Sequence, residues 1–197
     1  MFTEMKLFFE LVDQDAKAYG RERLTISFFI VSLLGLSDFS AVLLFRVQSA
    51  LFDKGFPFYA LSKMARRWNT LWNSCDMMPE ARIGPGFQLP HPIGVHIGAI
   101  RAGRNLTVLQ NASIALRDRS LPADHQNFAS FGDNVMVGPS ASVLGGITIG
   151  DGAVIGANAV VHKDVPAGCL AVANPARILP PPTVLTPRTP SMQAGQS

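Results

Sequence analysis

The chain has 197 residues, enough for one substantial domain with a smaller appendage, and 48% are hydrophobic against 16% charged. A net charge of +3 without a dense basic stripe or interleaved aromatics argues against nucleic-acid binding. Cys75 and Cys169 lie far apart, with neither C-x-x-C nor zinc spacing, which fits a reducing cytoplasm.

The N-terminus carries Glu4 and Glu10 among apolar residues and has no basic n-region, so no signal peptide is expected. Residues 2 to 19 read as a helix ended by Gly20. The longest apolar run, Leu24 to Leu36, is interrupted by Thr25, Ser27 and Ser32 and falls short of the roughly 20 residues a membrane span requires. Within it, Ser27 to Gly35 is apolar on all sides and is either a buried helix or a face that meets a partner or lipid. Ser37-Asp38 offers a cap for a helix through Phe39, Val42, Leu43, Val47 and Leu51, which Gly55-Phe56-Pro57 breaks. A last helix is expected from Phe58 to Trp72. Lys63, Arg66 and Arg67 share one side of it, with Trp68 and Trp72 one turn apart. This side reads as a solvated basic edge with two packing tryptophans, and secondly as an interfacial face toward anionic lipid. Helical structure is expected to occupy residues 1–73, with a cytoplasmic location that leaves peripheral membrane contact open.

From residue 74 the pattern changes. Phe131, Val137, Val143, Ile149, Ile155 and Val161 recur at a strict spacing of six, with a second set (Val135, Ala141, Ile147, Ala153, Ala159, Val165) four positions after each. Neither a 3.6-residue helix nor an alternating strand gives that count. It is the period of the hexapeptide parallel β-helix, in which each hexapeptide supplies one short strand and one corner. Gly132, Gly138, Gly150 and Gly156 follow four of the large residues, where a corner needs unusual backbone angles or close approach of the next coil. Earlier, Ile83, Leu89 and Val95 keep the count, with Phe87 and Ile93 in the second set. Ala102, Val108 and Ile114 keep it one residue out of phase, which places an altered corner between Val95 and Ala102. Residues 115–130 abandon it for a polar loop of the kind that serves binding. The β-helix is expected over 74–179 with a closing segment from Ala171 to Leu179, and a disordered Pro-rich tail over 180–197.

Of four histidines, His91 lies in a coil whose inward positions go to Leu89 and Ile93, so it should point outward. Asp76 precedes it by fifteen residues, just short of one coil, so the two can share a face. A carboxylate on one imidazole nitrogen fixes the tautomer and raises the basicity of the other, making a base for a hydroxyl.

The stretch from Asp76 through Pro79, Ile83-Gly84, Gly86, His91, Gly94 and Ile97-Gly98 resembles the serine acetyltransferase branch of the hexapeptide acyltransferases. Val108-Leu-Gln110-Asn111 is similar to its glutamine motif, Ala173-Asn174-Pro175-Ala176-Arg177 to its closing motif, and Asp38 to Pro57 to its helical lead-in. The resemblance implies a left-handed parallel β-helix preceded by helices, assembled as a homotrimer and leaving a dimer of trimers open, with acetyl-CoA bound between subunits as acetyl donor. It implies His91 as general base, Asp76 as its orienting partner, backbone groups near Gly138, Gly156 and Ala157 on the pantetheine arm, and Lys163 and Arg177 on the CoA phosphates. The acceptor side departs from the family. Pro90 replaces the acid before the histidine, and the loop offers Arg117, Arg119 and His125 in another arrangement. Relatives that acetylate sugar hydroxyls of surface polysaccharides show similar losses, so the expectation leans to a sugar, with serine as the alternative. His91, His96 and His125 are also similar to the three-histidine zinc site of β-helical carbonic anhydrases, but in reversed order, so no metal is expected. A non-catalytic scaffold is the remaining alternative. His96 and His162 read as surface residues.

Overall fold

Four helices precede a stack of short strands in the computed structural model, which describes residues 2–118, 120 and 127–181. The helices are α1 (Phe2–Ala18), α2 (Ile26–Leu33), α3 (Ser40–Phe52) and α4 (Phe58–Asn73). The strands are β1 (Asp76–Met77), β2 (Arg82–Ile83), β3 (His96–Ile97), β4 (Arg101–Ala102), β5 (Thr107–Val108), β6 (Ser113–Ala115) and β7 (Ser130–Phe131). They continue as β8 (Met136–Val137), β9 (Ser142–Leu144), β10 (Thr148–Ile149), β11 (Val154–Ile155), β12 (Val160–Val161), β13 (Leu170–Val172) and β14 (Arg177–Leu179).

Strands two or three apart in sequence pair in parallel, which generates the three faces of a prism. The first face runs β1-β3-β6-β9-β12, the second β2-β4-β7-β10, and the third β5-β8-β11-β13, with β14 returning antiparallel on β13. Each coil contributes one large inward side chain per face. Met77, Ile97, Ile114, Val143 and Val161 stack inside the first face, and Leu89, Val108, Val137, Ile155 and Ala171 inside the third, all buried. Such short strands cannot stand alone, so the coil-to-coil ladder and this shared core hold them.

The glycines after the large residues work by close approach. A Cβ on Gly138 would lie 2.8 Å from the Ile155 carbonyl oxygen of the next coil. The left-handed backbone falls two residues later, at Asn134, Ser140 and Asn158, each with φ of 58°. Asparagine tolerates that region better than most residues with a Cβ.

The early coils correct the six-count. Ile93 is not inward; it is 64% exposed. Val95 is buried, but it belongs to the second set, two residues before the inward Ile97. Inward positions therefore step by eight from Leu89 to Ile97 and by five from Ile97 to Ala102. The surplus bulges outward as Pro90–Gly94, and a count of apolar residues cannot see it because both sets are apolar.

The helices also depart from expectation in detail. At α3 the N-cap residue is Phe39, without a side-chain cap; Ser40 Oγ instead donates to Ser37 O at 2.6 Å. In α2 only Ser32 is buried, while Ile26, Ile30, Val31 and Leu33 are exposed. Trp68 and Trp72 stack at 5.4 Å and remain half exposed, with Trp72 Nε1 donating to Gly35 O at 3.1 Å. No helix among the described residues is long and apolar enough to cross a membrane. The tail from residue 182 onward lies outside the described residues.

The first coil has no coil beneath it, so its backbone groups on that side need partners from elsewhere. The helices supply them. Arg46 on α3 is buried and donates to Ile83 O at 2.6 Å and to Gly84 O at 2.7 Å. Its Nε meets the fully buried Asp15 of α1 at 2.7 Å. Asp15 in turn accepts the N–H groups of Gly86 at 2.8 Å and Phe87 at 2.9 Å. Gln48 donates to Met77 O at 2.7 Å, Tyr19 Oη accepts the Leu89 N–H at 2.7 Å, and Gln88 donates to Ala18 O. All three sides of the first coil are thereby capped.

Removing one partner of a buried pair leaves an uncompensated charge, here together with orphaned edge carbonyls. Arg46→Ala is expected to cost about 3–5 kcal/mol of unfolding free energy in a denaturant titration. A loss below about 1 kcal/mol would show that the cap does not hold the end of the β-helix.

Candidate active site

The edge between the third and first faces carries the bulge. Its corners stack directly. Gly94 N–H bonds Ser74 O at 2.8 Å, Asn111 N–H bonds Ile93 O at 2.9 Å, Ser140 N–H bonds Gln110 O at 2.9 Å, and Asn158 N–H bonds Pro139 O at 3.0 Å. One edge therefore holds His91 in the bulge, then Gly138, then Gly156 and Ala157. His91 is exposed on it. Arg177 lies exposed on β14, paired with Val172 at the end of the third face. Lys163 follows β12 and is exposed on the opposite edge of the first face, as is Arg117, which follows β6 and packs against Gly145. Arg119 and His125 lie outside the described residues.

Asp76 begins the first face. Its register partner is His96, not His91: β1 pairs β3 with Asp76 opposite His96, and His96 Nδ1 stands 3.6 Å from Asp76 Oδ2. Both carboxylate oxygens are also taken by Arg66 of α4, with Nε to Oδ1 at 2.7 Å and the second guanidinium nitrogen to Oδ2 at 2.9 Å. The Arg66 guanidinium holds the Asp76 carboxyl below its ordinary range, with a smaller contribution from His96. No hydrogen bond or ion pair joins His91 to Asp76 among the described residues. The expected dyad is thus not closed in this structure: the register sets His96 rather than His91 opposite Asp76, and Arg66 takes both carboxylate oxygens. Arg66 leaves the expected solvated basic edge for the same reason, and His96 is more than a surface histidine.

The bulge hides His96 from the sequence. His96 follows Asp76 by twenty positions, one eighteen-residue coil plus the bulge, and only a count that included the bulge would have placed them in register. Behind them Cys75 is buried, and burial pushes its thiol up to about 12.

The amides of Gly138 and Gly156 are committed to the ladder, donating to Ile155 O at 2.7 Å and Ala171 O at 2.8 Å. Those two N–H groups are not available to a ligand, which corrects one way in which the corners were expected to serve. Ala157 is exposed, and neither Lys163 nor Arg177 enters an ion pair among the described residues. No group of three or more His, Cys, Asp or Glu there is placed to hold a metal ion.

Residues 128–163 match the family model described as bacterial transferase hexapeptide (six repeats). The serine acetyltransferase of Helicobacter pylori is 34% identical over 142 residues, covering 71% of this chain and 79% of that protein. The belonging is settled at that identity and coverage. The chain belongs to the serine acetyltransferase family. It is an acyltransferase of the hexapeptide-repeat class. Among solved structures, the Neisseria gonorrhoeae serine acetyltransferase in complex with serine is 28% identical, with a TM-score of 0.74 over 88% of this chain and 69% of that one. A serine acetyltransferase in complex with CoA is 25% identical, with a TM-score of 0.71 over 87% of this chain and 69% of that one. The lean toward a sugar acceptor finds no support in these serine acetyltransferases; the alternative drawn from the sequence fits them better.

Burial of Cys75 carries a simple expectation. In native protein at neutral pH, Ellman's reagent should leave Cys75 unmodified while unfolding exposes both thiols. Rapid labelling of Cys75 in the folded state, read by peptide mass spectrometry, would contradict the burial described here.

Proposed function

We propose that this protein is an acetyl-CoA-dependent serine O-acetyltransferase. The supporting observation is the likeness to serine acetyltransferases over helices and β-helix together, with neighbours that hold serine in one case and CoA in another. The β-helix coils left-handedly, as in the family, and the protein works as a trimer. Within one chain the His91 edge and the Arg117 edge are separated by the whole first face. In a trimer the loop edge of one copy can face the His91 edge of the next, which gives the acceptor loop, with Arg117, Arg119 and His125, a way to reach the base.

His91 acts as the general base. Its imidazole takes the proton of the serine hydroxyl as the oxygen attacks the thioester carbonyl carbon. The carbon–sulfur bond then breaks, and the departing thiolate receives a proton from the imidazolium. Asp76 favours the imidazolium through its negative charge. Lys163 and Arg177 offer positive charge for the CoA phosphates, and exposed Ala157 marks where the pantetheine arm passes the corner. Pro90, where the family has an acid, removes one partner for the serine ammonium, so weak serine binding is expected.

Thiol release from acetyl-CoA by the purified protein tests the acceptor. Release is expected with L-serine at millimolar concentration and not with nucleotide sugars or oligosaccharides. Sugar-dependent release without serine-dependent release would reject the proposal. His91→Ala should lower turnover by about 10²–10⁴-fold, the range for loss of a general base, with CoA affinity unchanged. Turnover equal to the parent protein would end the base assignment.

A further inference from the structure

Arg66 reaches the first coil from outside the β-helix. Helix α4 ends at Asn73, Ser74 turns the chain with φ of 53°, and β1 begins two residues later. That tight turn brings α4 back against β1, so the Arg66 guanidinium meets the carboxylate of a residue only ten positions ahead. The fork is bidentate at 2.7 and 2.9 Å, the geometry in which arginine neutralises a carboxylate most completely. Arg66 and Asp76 are both about one-quarter to one-third exposed, so the pair is only partly screened by water.

The carboxylate has other neighbours. From β3, His96 Nδ1 stands 3.6 Å from Oδ2. On the adjacent residue Cys75 is buried and keeps its proton. Glu80 acts on Arg66, favouring its charge. Lys63 instead lies over the Tyr59 ring at 5.2 Å. His91 occupies the bulge that Gly94 ties to Ser74, two residues before Asp76.

We propose that Arg66 is a positioning residue of the site: by clamping both oxygens of Asp76 it fixes the carboxylate between α4 and His96 and offsets the negative charge that Asp76 presents to that face. The proposal rests on the general-base reading above. A carboxylate stabilises a neighbouring imidazolium by its negative charge, and a guanidinium on the same carboxylate offsets that charge. Removing the guanidinium stabilises the imidazolium, so the base becomes protonated at higher pH and activity is lost there.

The test uses full-length protein and two readouts. Histidine C2–H resonances are titrated by NMR in the parent protein and in Arg66→Gln, and the pH profile of kcat/KM for serine is recorded for both. In Arg66→Gln the His96 titration should move up by about one pH unit, and the acid limb of kcat/KM should move up with it. Arg66→Lys, which keeps the charge and gives up the fork, should shift both in the same direction by less, and it serves where Arg66→Gln folds poorly. A merely structural role would lower activity at every pH and leave the limb and the resonance in place, which would overturn the proposal. Movement of the resonance without the limb would also overturn it. Movement of the resonance in a protein that releases no thiol with serine would support the clamp on Asp76 and count against the serine reading instead.

Discussion

The buried pair of Arg46 and Asp15 is the contact on which the rest of the molecule depends. A parallel β-helix must begin somewhere, and its first coil exposes backbone donors and acceptors that each later coil finds in its predecessor. Here α1 and α3 meet that need with side chains: the pair binds Ile83, Gly84, Gly86 and Phe87 through backbone atoms, and Gln48 and Tyr19 take Met77 and Leu89. Neither ion could be buried alone at acceptable cost. Together, with Arg46 Nη1 and Nη2 and Asp15 Oδ1 also directed at edge groups, they convert an open end into a sealed one.

The same cap fixes the site. Helix α4 is seated on α3 by Ser62 Oγ donating to Gln48 O at 2.7 Å and Asn69 Nδ2 donating to Ala41 O at 3.0 Å. Its C-terminus leads straight into Asp76. The position of Arg66 against that carboxylate therefore follows from helix packing that begins at Arg46, and the electrostatics of the first face are set from outside the β-helix. The regular coils supply rigidity, while His91, the proposed base, sits where regularity fails, in the Pro90–Gly94 bulge. A bulge of this kind pushes His91 off the ladder and into solvent while Leu89 and Val108 of the third face and Ile97 of the first stay buried.

Much of this was legible in the chain. From Phe131 onward the large inward residues, their small companions and the corner glycines read directly, because one repeat there equals one strand and one corner. The helix limits were close as well. The first two coils were misphased at Val95 and Ile93, since an apolar count cannot tell the inward position from the one two residues before it. The cap was invisible because its partners are joined across 71 and 72 residues, from Asp15 to Gly86 and Phe87, and no local pattern marks such a pair. Arg66 looked like one cation of a solvated row for a related reason: its partner lies beyond a helix end whose turn at Ser74 the sequence does not announce. The acceptor rests on competing signals. The loss of the acid at Pro90 weighs toward sugars, whereas likeness to serine acetyltransferases over most of the chain weighs toward serine.

The most direct test follows the acetyl group itself. Acetyl-CoA labelled with ¹³C in the acetyl carbonyl is incubated with the protein and L-serine, and the product is identified by NMR and mass spectrometry. The account predicts label in an ester on the serine side-chain oxygen, formed in step with free CoA. Label released only as acetate, or retained in acetyl-CoA while serine stays unmodified, would contradict it.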